Sequence, residues 1–81
     1  MNITILNTFG DEITKISYPQ LDSRNLLENR KLAEKAGEKT GYRMYGGKSK
    51  LTFVEANVVD DEEVMSKQLR KFVAKLNDCF L

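Results

Sequence analysis

The stretch DDEEVMSKQLRKFVAKLNDCFL, residues 60–81, decides how the rest of the chain must fold. Its apolar residues Met65, Leu69, Phe72, Val73, Leu76, Cys79 and Phe80 recur at helical spacing and fill a stripe roughly 120° wide on a helical wheel. Lys67, Arg70, Lys71, Ala74 and Lys75 fall on the other side. Asp60 or Asp61 can cap the start. Glu62 and Glu63 stand in the first turn, where the positive end of the helix dipole favours carboxylates. The spacing predicts an amphipathic helix that holds the largest aliphatic and aromatic cluster in the chain, so the strands before it must lay an apolar face across it.

Working back from that helix, residues 41–59 predict a hairpin with Gly46-Gly47 as a two-residue loop between Tyr45 and Lys48. This register puts Tyr42, Met44, Leu51 and Phe53 on one face and Arg43, Tyr45, Lys48 and Lys50 on the other, with Arg43 directly across from Lys50. The fourth strand is expected to run on through Val54, Ala56, Val58 and Val59. Apolar residues appear there on both faces, which calls for a bulge near Glu55 or a cover on the outward side. Further back, a helix is expected from Asp22 or Ser23 to about Ala36. Its thin apolar side would be Leu26, Leu32, Ala33 and Ala36, with Gly37 or Gly41 as its stop. At the start of the chain, residues 2–9 alternate, and Gly10-Asp11 offers a two-residue turn that would set Ile5 opposite Ile16 and Ile3 opposite Tyr18. Pro19 ends that second strand.

The expected order is therefore ββαββα in one small α+β binding domain spanning residues 1–81: a four-stranded antiparallel sheet with both helices packed on one face. The two ββα halves share no convincing residue-level match. The other face of the sheet would be open. Leu6, Ile13, Val54, Ala56 and Val58 would form an apolar area on it, of the kind that marks a protein contact or a dimer seam.

Eighty-one residues lie near the size at which one core becomes marginal without outside help. The chain has no histidine and one cysteine, so neither a structural zinc site nor an internal disulfide is expected, and Cys79 reads as a small core hydrophobe in a reducing cytoplasm. The first residues lack a basic segment followed by a long apolar run, and no window is apolar enough to cross a bilayer, so no membrane association is expected. Thirteen basic against 12 acidic side chains give a net charge of +1. That balance argues against a protein coated on nucleic acid, but its distribution is uneven. Arg30, Lys31, Lys35, Lys39, Arg43, Lys48 and Lys50 face only Glu34 and Glu38 in their segment, whereas Glu55 to Glu63 is wholly acidic in its charges.

Without histidine there is no Ser-His or Cys-His nucleophile system, and no enzymatic activity or cofactor is expected. The run Asp60-Asp61-Glu62-Glu63 looks like a metal site but reads as cap and dipole complement. Gly46-Gly47-Lys48-Ser49 resembles the end of a phosphate loop. However, the spacing fails, because position 42 is tyrosine where that motif requires glycine. The basic hairpin set Arg43, Tyr45, Lys48 and Lys50, together with the helix set Lys67, Arg70, Lys71 and Lys75, offers phosphate contacts and one stacking ring for RNA. A KH domain would need a G-x-x-G loop between helices, a double-stranded-RNA domain would begin with its helix, and an RRM has a different strand order. None of these patterns fits. The expectation is a non-enzymatic regulator or inhibitor that docks on a protein, with a homodimer as one form, and an RNA-binding module as the alternative.

Overall fold

A computed structural model describes residues 2–19, 25–45, 51–56 and 61–81. The element order is β1 (Asn2–Leu6), β2 (Glu12–Ser17), α1 (Leu26–Thr40), β3 (Tyr42–Met44), β4 (Leu51–Glu55) and α2 (Glu62–Phe80). The strands form one sheet in the order β2-β1-β4-β3. It is a mixed sheet, which corrects the antiparallel expectation: β1 pairs with β2 and β3 with β4 antiparallel, but β1 and β4 run parallel at the centre. A parallel pair needs a long crossover, and the path through β2, α1 and β3 supplies it. The central position suits these two strands, since Ile3, Ile5, Leu51 and Phe53 are the strand residues most completely removed from water. Leu6 and Val54 on the opposite side of the same strands are half-buried, so β4 is apolar on both faces as a central strand should be.

Both helices lie on the Ile5 and Phe53 side. The Phe72 ring of α2 packs edge-on against Phe53, with centroids 4.9 Å apart, and stacks on Tyr42 at 4.7 Å. Leu76 and Phe80 continue the buried stripe as their spacing predicts, and Phe80 tilts against Tyr18 at 5.7 Å. Asp61 is the N-cap of α2, accepting from the backbone N–H groups of Glu63 and Val64; Asp60 lies outside the described residues.

The contact face of α1 differs from expectation. It buries Asn29, Ala33, Ala36 and Gly37, while Leu26 is exposed and Leu32 is 42 % exposed. The reason is Gly37: a Cβ there would lie 2.8 Å from the Tyr42 carbonyl oxygen and 3.0 Å from the Phe53 ring. The helix backbone therefore sits directly on the sheet, and small residues must line the contact. The helix runs past Gly37 to end at Gly41, whose φ of 85° makes it the left-handed C-cap. Its N-cap is Asn25, accepting from Leu27 N–H; the expected starts Asp22 and Ser23 lie outside the described residues.

Both hairpin registers slip from expectation by an even number of residues, which keeps the side chains on their expected faces up to the irregularity between Ile5 and Leu6, beyond which Ile13 changes side. Ile3 pairs with Ile16 and Ile5 with Thr14, so Tyr18 lies beyond the ladder, where its hydroxyl donates to Asn77 Oδ1 at 2.6 Å. The Gly10-Asp11 turn gives way to a longer loop built on Asn7, whose Oδ1 accepts from the N–H groups of Phe9 (3.0 Å) and Asp11 (2.9 Å). In the second hairpin Arg43 pairs with Val54 and Met44 with Phe53, so Arg43 does not oppose Lys50. That ladder runs straight through Tyr42 and Glu55. The irregularity expected near Glu55 is instead in the β1–β2 pair, between Ile5 and Leu6. The expected loop Gly46-Gly47 and the strand extension through Val58 and Val59 lie outside the described residues.

Candidate docking face

Residues that alternate with the core line the uncovered side of the sheet. The pairings place Arg43, Val54, Leu6 and Glu12 in one row across β3, β4, β1 and β2. Tyr45 follows Arg43 by two residues, hence on the same side, and its N–H donates to the Thr52 carbonyl at 2.7 Å. Beside it, Thr52, Thr4 and Lys15 make a second, polar row. At the corner nearest the Asn7 loop the first row bounds an open groove of about 500 Å³, whose lining includes Leu6, Phe9, Arg43, Tyr45, Val54, Glu55 and Ala56. Both aromatic residues on it are largely exposed, Phe9 at 89 % and Tyr45 at 69 %. The Phe9 backbone is tied into the loop by its N–H bond to Asn7 Oδ1.

Of the residues singled out from sequence, this corner brings together Leu6, Val54, Ala56, Arg43 and Tyr45. Ile13 does not join them. The bulge carries it to the helix side, 41 % exposed, where it borders a cleft with Tyr42, Met65 and Leu69. Val58, Lys48 and Lys50 lie outside the described residues. The basic set on α2 does not form one surface with the hairpin set, because α2 covers the opposite face of the sheet. Within α2, Lys67, Lys71 and Lys75 follow one another at four-residue spacing, with Arg70 bordering Thr14 and Ile16 of β2 and Lys75 lining a recess with Lys35, Lys39 and Asp78.

Phe9 was missed by hydrophobic patterning because it belongs to no strand or helix. The available signal was its place between an asparagine able to bond its own backbone and a glycine, which fixes a bulky ring on a loop tip. A second omission is Glu55. It is only 5 % exposed, on the helix-facing side of β4 with Leu51 and Phe53, and among the described residues its Oε1 has no hydrogen-bond partner. An unsatisfied buried acceptor costs about 1–3 kcal/mol, and more when charged. Burial and, secondarily, the Glu55 charge push the Tyr42 phenol above its usual value.

Among the described residues no three histidine, cysteine or acidic side chains are grouped to hold a metal ion, and no helix is long and apolar enough to cross a membrane. No family model matches this sequence, and no curated protein or solved structure matches it either.

Proposed function

We propose that this protein is a non-enzymatic binding module that regulates or inhibits another protein by docking through the corner of the uncovered sheet face. One observation carries the proposal: the cross-strand row Arg43–Val54–Leu6 lines one groove with two solvent-exposed aromatic residues, Phe9 and Tyr45. Large apolar side chains exposed together on a small domain mark contact surfaces, and aromatic residues and arginine are the usual energetic anchors. Of the two charged residues that line the groove among the described residues, Arg43 is exposed and Glu55 is buried, so the fitting partner presents an apolar side chain next to a carboxylate. Charge then steers the encounter, and burial of the rings holds the complex.

The test is selection of peptides from a random library against the folded domain, with binding mapped by amide chemical shifts. Expected are ligands that pair an apolar residue with Asp or Glu, perturb Leu6, Phe9, Tyr45 and Val54, and lose about tenfold or more in affinity with Arg43→Glu or Phe9→Ser. Ligands that map to α1 or α2, or that lack an acidic residue, overturn it. Sedimentation equilibrium adds a separate outcome, since a dimer broken by Phe9→Ser would make a second copy the occupant. The juxtaposition of Tyr45 and Arg43 on an open sheet also favours a second reading, in which single-stranded RNA stacks a base on Tyr45 and sets a phosphate on Arg43. Titration with mixed-sequence RNA decides it. Low-salt binding whose log–log salt slope falls by about 0.7 on Arg43→Ala supports RNA, and absence of low-salt binding removes it.

A further inference from the structure

We infer that the cleft between the end of β4 and the first turns of α2 is a binding site for an organic monocation, an alkylammonium or alkylguanidinium head carried on a short apolar stem. Glu55, at the end of β4, borders both this cleft and the groove of the docking face, and the cleft's other lining residues are not shared with that groove.

The cleft has a volume of about 290 Å³. That is at the lower end of small-ligand sites, enough for one cationic head and its stem. Glu55 is one of its lining residues, nine-tenths buried, and among the described residues its Oε1 has no hydrogen-bond partner. Buried carboxylates are normally ion-paired or fully hydrogen-bonded, and a strand position between Phe53 and a helix favours a β-branched or aromatic residue. A glutamate there contradicts core logic, and such local contradictions concentrate at functional sites.

The walls define what would answer it. Ile13, Met65 and Leu69 supply apolar surface for a stem, Glu62 adds a second carboxylate, and Asn7 and Ser66 supply polar groups. Among the described residues no lysine or arginine lines the cleft. The N-terminus of α2, which would repel a cation if bare, already has Asp61 on its N–H groups and Glu62 and Glu63 in its first turn. A hard metal ion is a poorer fit, because it takes six or more oxygen ligands and no group of three candidate ligands exists among the described residues. An organic cation needs one strong, directional acceptor and apolar contact along its stem, which is what the cleft offers.

The experiment titrates the protein with n-butylguanidinium, following the methyl groups of Ile13, Met65 and Leu69 and the side-chain carboxyl carbon of Glu55 by NMR. Expected are saturable shifts at all four residues. The neutral analogue n-butylurea should bind about tenfold or more weakly, and Glu55→Gln should lose a similar factor. Equal affinity for the urea, shifts centred elsewhere, or undiminished binding by Glu55→Gln would overturn the inference. The urea comparison uses the unaltered protein, so it holds even if the variant fails to fold. A parallel titration with acetyl-Gly-Arg-Gly-amide separates the sources: binding of both probes assigns the site to a side chain of a partner, binding of butylguanidinium alone assigns it to a free ligand, and binding of neither overturns it.

Discussion

The two helices share one face of the sheet but attach to it by opposite means. α2 reaches down with large rings and branched side chains, Phe72, Leu76 and Phe80, all fully buried. α1 brings its backbone to the sheet over Ala33, Ala36 and Gly37, leaving much of Leu26 and Leu32 in solvent. Apolar area holds the first, and close approach holds the second. Substitutions should therefore hurt them in opposite senses, by making space at α2 and by filling it at α1.

The largest effect is expected where space is made. Phe72→Ala removes a ring that contacts both Tyr42 and Phe53, and should cost about 3–5 kcal/mol, a large part of the stability of a domain this size. Urea denaturation checks it, and a midpoint close to that of the unaltered protein would break the contrast at its strong end. Gly37→Ala comes next. Elsewhere in a helix this exchange stabilises, but here the added methyl meets a backbone oxygen that cannot move aside, so a net loss of about 1–3 kcal/mol is expected. Stabilisation by Gly37→Ala would show that α1 is held by its side chains after all.

Tyr18→Phe sharpens the comparison at the far end of α2. Losing the hydroxyl that donates to Asn77 should cost about 1 kcal/mol. The same group gives a pH signature. Burial, and then the charge of Cys79, raises the Tyr18 phenol above its unfolded value of 10.0, and Tyr42 is raised likewise by burial and Glu55. The folded state therefore holds these protons more tightly than the unfolded chain. Their stabilisation is complete below pH 10 and is lost as pH climbs through the folded values, and Tyr18→Phe should flatten part of that alkaline loss in denaturation midpoints measured above pH 9. The smallest effect is at Lys71, exposed beside Phe72 in sequence, where Lys71→Ala should change the midpoint by less than about 0.5 kcal/mol.

The same contrast explains what could be read in advance. The α2 stripe was legible because its period is carried by large apolar residues and its start by an aspartate that caps. The faces of the strands were legible too, since alternation fixes which side each residue takes. Register was not: Asn7 can fold the chain over its own side chain, and that competed successfully with Gly10-Asp11. The buried side of α1 was misplaced because apolarity points to leucines, whereas a contact over glycine selects alanines. The parallel pairing of β1 with β4 has no local signature beyond the apolar residues on both faces of β4. At the candidate docking corner, Leu6, Val54, Ala56, Arg43 and Tyr45 could be read from alternation, but the place of Phe9 there, of Ile13 at the helix-side cleft and of Glu55 between the two depended on a loop, a bulge and a buried charge that periodicity does not register.

The parallel pairing at the centre of the sheet also has a consequence in time. Ile3 meets Leu51 across more than half the length of the chain, so the two most apolar strands cannot join until nearly everything between them has been organised or at least synthesised. Each hairpin and its helix can form by short-range contacts, but the inner edge of β1 stays open until β4 arrives, and such long loop closure slows the final step of folding. On a ribosome β1 emerges early and its partner late. During that interval the nascent chain carries an unpaired apolar edge, and chains stalled before residue 51 are the species in which association between unfinished copies is to be expected.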